Sequence, residues 1–186
     1  MRIAERKRDI LRLHEYFYRH IDESKLCYYL ARYSEDRGAE YGVSFGKGCG
    51  AGAWFEAYRF RTKTHPDYFF VLSIPHRLNQ GISEKERHYG QWSKRMQLLK
   101  KMGSSIPLIP PFILLKAPGG LPAWSTPYGT ELKDGALKPH WQNLDHLILK
   151  MQSGLQKIGL YLEDHIQIRS WQGIPFICDL SDLKNL

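Results

Sequence analysis

At 186 residues the chain has the length of one domain, enough to bury about two-thirds of its unfolded surface without disulfide or metal staples. Its 42% hydrophobic and 25% charged residues are ordinary globular proportions, with no low-complexity tract, no internal repeat and no apolar run long enough to cross a bilayer. The net charge of +8 is uneven: residues 141–186 hold four Lys/Arg against five Asp/Glu, which leaves +9 for residues 1–140. Such a basic front suits nucleic acid, a phosphate-rich ligand or an acidic protein surface, and its plain alternative is a solubilising surface.

In chain order, Ile10, Leu13, Phe17 and Ile21 recur at helical spacing, so residues 2–21 are expected to form an amphipathic helix with a basic start. A polar, turn-rich stretch follows. Tyr41, Val43 and Phe45 then alternate into Gly46-Lys47-Gly48-Cys49-Gly50-Ala51-Gly52, and alternation resumes at Trp54, Glu56, Tyr58 and Phe60. That pattern predicts two strands flanking a glycine-rich turn, with Tyr68–Ile74 as a third antiparallel strand. Ser83 and Glu86 have the spacing of a capping box for a helix over 83–102, whose apolar face is Tyr89, Trp92, Met96 and Leu99. Phe112–Lys116 and Leu121–Thr126 predict a hairpin, and Pro122 argues that its second strand lies at a sheet edge. After a linker over 127–139, Leu144, Leu147, Ile148, Met151, Leu155 and Ile158 line a helix ended by Gly159. Leu160–Leu162, a turn at Glu163-Asp164-His165, strand Ile166–Arg169, a turn at Trp171-Gln172-Gly173 and strand Ile174–Cys178 complete the chain up to Asp179. Three stretches are thus expected: a helical extension over 1–39, an antiparallel sheet with its helix over 40–126, and a linker, helix and hairpin over 127–186.

The residues that carry chemistry are few. Cys27, Cys49 and Cys178 are far apart, so neither a disulfide framework nor a structural zinc is supported, and a reducing cytoplasmic setting without membrane attachment is expected. The eight histidines show no metal-ligand spacing, and the five tryptophans are spread over different elements as core and rim residues would be. Lys94, Arg95, Lys100 and Lys101 form either a basic ridge or a solvated helix face.

The order strand, glycine-rich turn, strand, strand, helix, two strands, linker, helix, loop Asp, hairpin and second Asp resembles the protein-kinase family over roughly residues 40–182. Two local patterns carry the resemblance: Phe45–Gly52, and Gly159-Leu160-Tyr161-Leu162-Glu163-Asp164 followed by Gly173–Ser181. It implies an α+β, kinase-like fold, with a five-stranded antiparallel N-lobe carrying one helix and a truncated C-lobe of long helix and short hairpin. It also implies ATP and magnesium as cofactors. By this resemblance Gly46, Lys47, Gly48, Gly50 and Gly52 would approach the phosphates through glycine backbone. Asp164 would be the catalytic carboxylate, and Asp179 with Gln167 would hold the metal.

The chain departs from the family pattern in three places. No Lys lies on Tyr68–Ile74, so Lys47 would have to supply a displaced positive charge, with Glu84 or Glu86 as its helix partner. Leu162-Glu163 replaces His-Arg, and only seven residues follow Asp179. The expected function is therefore a degenerate, pseudokinase-like regulatory or protein-interaction module, either with retained ATP and magnesium binding or without a cofactor. The alternatives are a minimal phosphotransferase using Asp164, Asp179 and magnesium, and a basic nucleic-acid or acidic-protein binder working through its N-terminal region. The plain alternative for the glycines is a flexible hairpin turn, and for Asp164 and Asp179 local capping of backbone donors.

Overall fold

Apolar residues at every second position draw the middle of the chain into antiparallel strands, while three- and four-residue spacings on either side give helices. The computed structural model describes residues 2–33, 43–51, 55–62, 65–75, 82–102, 105–117, 120–132, 136–163 and 166–186. Its helices are α1 (Arg2–His20), α2 (Glu23–Tyr33), α3 (Ile82–Met102) and α4 (Leu144–Gln156). Its strands are β1 (Val43–Ala51), β2 (Phe55–Thr62), β3 (His65–Pro75), β4 (Ile113–Lys116), β5 (Pro122–Pro127), β6 (Thr130–Glu131), β7 (Leu160–Leu162), β8 (Ile168–Trp171), β9 (Ile174–Ile177) and β10 (Leu183–Asn185). The class is mixed α+β with antiparallel sheets. Two compact units divide the chain: residues 20–93 with 112–127, and residues 1–19, 94–111 and 128–186.

The first unit is built on a five-stranded sheet in the order β1-β2-β3-β5-β4, every pair antiparallel. Phe55 of β2 stacks on Tyr89 and Trp92 of α3 at ring distances of 5.4 and 4.8 Å, and Trp92 meets Trp124 of β5 at 6.0 Å. The helix face read from sequence is thus a core face, with Tyr89, Trp92, Met96 and Leu99 buried. α2 occupies part of the stretch expected to be polar and turn-rich. Asp22 caps it, its Oδ1 accepting from Lys25 N at 3.0 Å, and Leu26 and Leu30, one turn apart, are buried.

Two expectations are corrected in this sheet. Residues 46–51 are not a turn: β1 runs through Gly46, Gly48 and Gly50, and its register against β2 shifts between Phe45 and Gly48 and again between Gly48 and Gly50. Glycine without a side chain to pack tolerates the two-against-one pairing of a bulge, so these glycines bend a strand rather than end one. β5 is also not an edge strand; it lies between β3 and β4. Pro122 is accommodated because β3 pairs only with Trp124–Pro127, leaving Pro122 at the strand's first residue, opposite Lys116 of β4.

The second unit holds α1, the C-terminal half of α3, α4, the three-stranded sheet β6-β8-β9 and the pair β10-β7. Asn143 caps α4, its side chain accepting from His146 N at 3.1 Å, and Leu147, Met151 and Leu155 are its buried stripe. Gly159, at φ 75°, turns the chain into β7. Gly154 lets α4 approach Ile106 closely, since a Cβ there would stand 3.1 Å from the Ile106 side chain. Leu108 takes the left-handed conformation at φ 66°, and its carbonyl accepts from Ile177 N at 2.8 Å. Arg95, read from sequence as part of either a basic ridge or a solvated face, is committed instead to β10: its guanidinium donates to Leu183 O at 3.0 Å and to Asn185 Oδ1 at 3.2 Å.

Candidate functional site

The β8–β9 hairpin sets the geometry. Gln172 and Gly173, at φ 49° and 77°, are the two central residues between the paired Trp171 and Ile174. Positive φ at both positions is the turn whose twist matches a tight two-residue hairpin. The ladder runs down to Ile168 opposite Ile177, and one step further Cys178 N donates to Gln167 O at 3.0 Å. Asp179 follows immediately, half-buried, its Oδ1 accepting from Ser181 N at 2.8 Å in an Asx turn. That turn leads through the buried Leu180 to β10, which pairs antiparallel with β7, Leu183 opposite Leu162. Gln167 and Asp179 are therefore brought to one end of one hairpin. Asp164, on the loop between β7 and β8, lies outside the described residues.

The chemistry at this end is that of oxygen donors. Gln167 is exposed, and Cys178 Sγ stands 3.6 Å from its Oε1. Burial is the main cause that pushes the Cys178 thiol above its ordinary pKa, which the charge of Arg169 only partly offsets, so the sulfur is a neutral thiol and a poor nucleophile. Among the described residues no three His, Cys, Asp or Glu side chains gather as a metal cage. The oxygens of Asp179 and Gln167 fit magnesium better than zinc or copper. Magnesium keeps hard oxygen ligands, is held by one or two protein groups, and completes its shell with phosphate and water.

Gly46, Lys47, Gly48 and Gly50 lie in β1, in the first unit, whereas Asp179 and Gln167 lie in the second. The Lys47 side chain and Gly52 are outside the described residues.

No protein-family model matches this chain, and no curated protein matches it. Among solved structures it is similar to the crystal structure of a Toxoplasma gondii specific rhoptry antigen kinase domain, at 17% identity and a TM-score of 0.46. The match covers 77% of this chain and 50% of that one, so the chain spans about half the length of the structure it matches.

A second polar cluster went unread in the sequence. Asp9 of α1 is only 5% exposed, and its carboxylate accepts from Lys138 Nζ at 2.6 Å and Trp141 Nε1 at 3.1 Å, with His140 Nε2 at 2.7 Å. Arg6 completes the cluster, its Nε donating to His140 O at 2.8 Å and its guanidinium lying 5.6 Å from the Trp141 ring centre. Burial alone raises the carboxyl pKa, but the hydrogen bonds from Lys138, Trp141 and His140 outweigh it and hold Asp9 below its ordinary value. This cluster fastens α1 to the 3-10 turn Pro139–Trp141. The signal was the spacing Asp9, Leu13, Phe17: a charged residue in line with two apolar ones, one turn apart. It also corrects the expected helix face, since Asp9 is buried where Ile10 is only partly so.

Proposed function

We propose that this chain is a small kinase-like domain that binds a nucleoside triphosphate with magnesium and serves as a regulatory or interaction module. The observation that carries the reading is the hydrogen bond from Cys178 N to Gln167 O, which draws two oxygen-bearing side chains, Gln167 and Asp179, to the foot of one hairpin. Further support comes from the order of elements: α3 follows β3 and precedes β4, and the chain then passes through β5 and α4 to the β8–β9 hairpin. In this reading Asp179 and Gln167 are metal ligands. Bound magnesium would neutralise phosphate charge, and the two side chains would fix its position.

Calorimetric titration with ATP, with and without magnesium, tests the proposal. Wild type is expected to bind only with the metal. Asp179→Asn keeps an acceptor for Ser181 N but removes the charge, and is expected to weaken magnesium-dependent binding by about tenfold or more, a loss of ~1.4 kcal/mol. No heat at millimolar ATP with magnesium, or an Asp179→Asn protein that binds as well as wild type, defeats the proposal. Transfer of labelled phosphate in the same preparations separates a phosphotransferase from a binding module.

A further inference from the structure

The face of α1 opposite the Asp9 cluster carries an exposed apolar line. Ile3 is 71% exposed, Leu11 61% and Tyr18 48%, at spacings of eight and seven residues that keep all three on one side of the helix. Lys7 is exposed within this line, and Arg8, Arg12 and Arg19 are exposed in a row beside it. Glu15 is the single acid among the exposed residues of this face.

We propose that this face of α1 docks on an anionic lipid surface. A charge of +3 over Lys7, Arg8, Arg12, Arg19 and Glu15 calls for a negatively charged partner. Protruding aliphatic side chains call for one that also takes up apolar groups. A bilayer bearing acidic headgroups supplies both along a plane: a surface helix sinks its apolar line to the headgroup boundary while its arginines stay among the phosphates. Duplex nucleic acid satisfies the charge but gives Ile3 and Leu11 nothing to bury them. The helix is formed beforehand, because Asp9, Leu13 and Phe17 hold its other face within the protein, so docking orders no new segment. No helix among the described residues is long and apolar enough to cross a membrane, and none is required for this attachment. The inference is independent of nucleotide binding.

Co-sedimentation of the full chain with vesicles tests it, using phosphatidylcholine alone and phosphatidylcholine with about one-third phosphatidylserine. Wild type is expected to partition onto the anionic vesicles and not the neutral ones. Ile3→Ser with Leu11→Ser is expected to lower that partitioning about tenfold or more while leaving the charge intact. Arg8→Glu with Arg12→Glu is expected to abolish the dependence on phosphatidylserine. Leu149→Ser is the control: that residue is 68% exposed on α4 and its replacement is expected to change nothing. Absence of binding to anionic vesicles overturns the proposal, as does equal binding to neutral ones. So does an Ile3→Ser/Leu11→Ser protein that binds as tightly as wild type while wild type is displaced by duplex DNA, the mark of bare charge attraction. A Leu149→Ser protein as impaired as the α1 double variant removes the assignment to α1.

Discussion

Gly129 and Gly90 have the same side chain and opposite prospects. A Cβ on Gly129 would stand 2.7 Å from Arg169 Cβ and 2.7 Å from Phe176 Cζ, whereas a Cβ on Gly90 would meet nothing within 4 Å. Gly129→Ala is therefore expected to destabilise by about 1–3 kcal/mol, because the buried Phe176 ring has to move. Gly90, exposed within α3, weakens its helix by backbone freedom alone, so Gly90→Ala is expected to stabilise by about 0.5–1 kcal/mol. Denaturant midpoints of the two variants check both signs, and a Gly129→Ala protein as stable as wild type contradicts the close approach. Neither role can be read from the sequence, because the residues a Cβ on Gly129 would meet, Arg169 and Phe176, are distant along the chain. The spacing of Asp9 to Leu13 and Phe17 hints at its burial, but its partners are illegible for the same reason: they lie 129 to 132 residues away along the chain.

Among the elements, legibility follows length and period. α3 and α4 show repeated apolar spacing over several turns, and the sequence reading places both within two residues of their observed ends. β6 and β10, two and three residues long, have no room for a pattern and went unread. α2 was obscured because only Leu26 and Leu30 mark its buried side among polar and aromatic neighbours. The β8–β9 turn was legible as a turn, although its demand on Gly173 was not. At φ 77° and with a would-be Cβ 3.1 Å from Ala136 O, Gly173 is constrained twice over. Gly173→Ala is expected to destabilise by about 1–2 kcal/mol and to loosen the hairpin end to end. Amide hydrogen exchange at Cys178 reads that loosening directly, because its N–H closes the open end of the ladder. Unchanged protection at Cys178 would show that the turn and the Gln167–Asp179 end are independent.

For the whole molecule, acid stability hangs partly on Asp9. Its folded pKa is held below the ordinary 3.8, so its contribution is complete above that value and drains away as pH falls through the folded pKa. Urea midpoints taken from pH 7 down to pH 3 are expected to fall less steeply in Asp9→Asn than in wild type. At neutral pH the same variant is expected to lose about 1–3 kcal/mol, since Lys138 loses the negative charge it faces and an amide nitrogen replaces one of the two oxygens that accept from Lys138 and the Trp141 indole. Parallel pH profiles for the two proteins would remove Asp9 from the acid transition. At this scale the sequence conveyed the α+β class and the hairpin between residues 166 and 178, because both follow from order along the chain, whereas the placing of Gln167 and Asp179 at one end of that hairpin came from the strand register. It did not convey that α1 joins the unit of the C-terminal hairpin while α2 joins the sheet, since that partition depends on contacts between distant segments.

Among the described strands β1 forms one border of the five-stranded sheet, and its glycines shift the ladder twice within six residues, between Phe45 and Gly50. A border of that kind offers a visiting polypeptide no straight row of amides to zip against. Stacking of copies along this border is thereby disfavoured, and filling Gly48 and Gly50 with β-branched residues is expected to make β1 a better template for it.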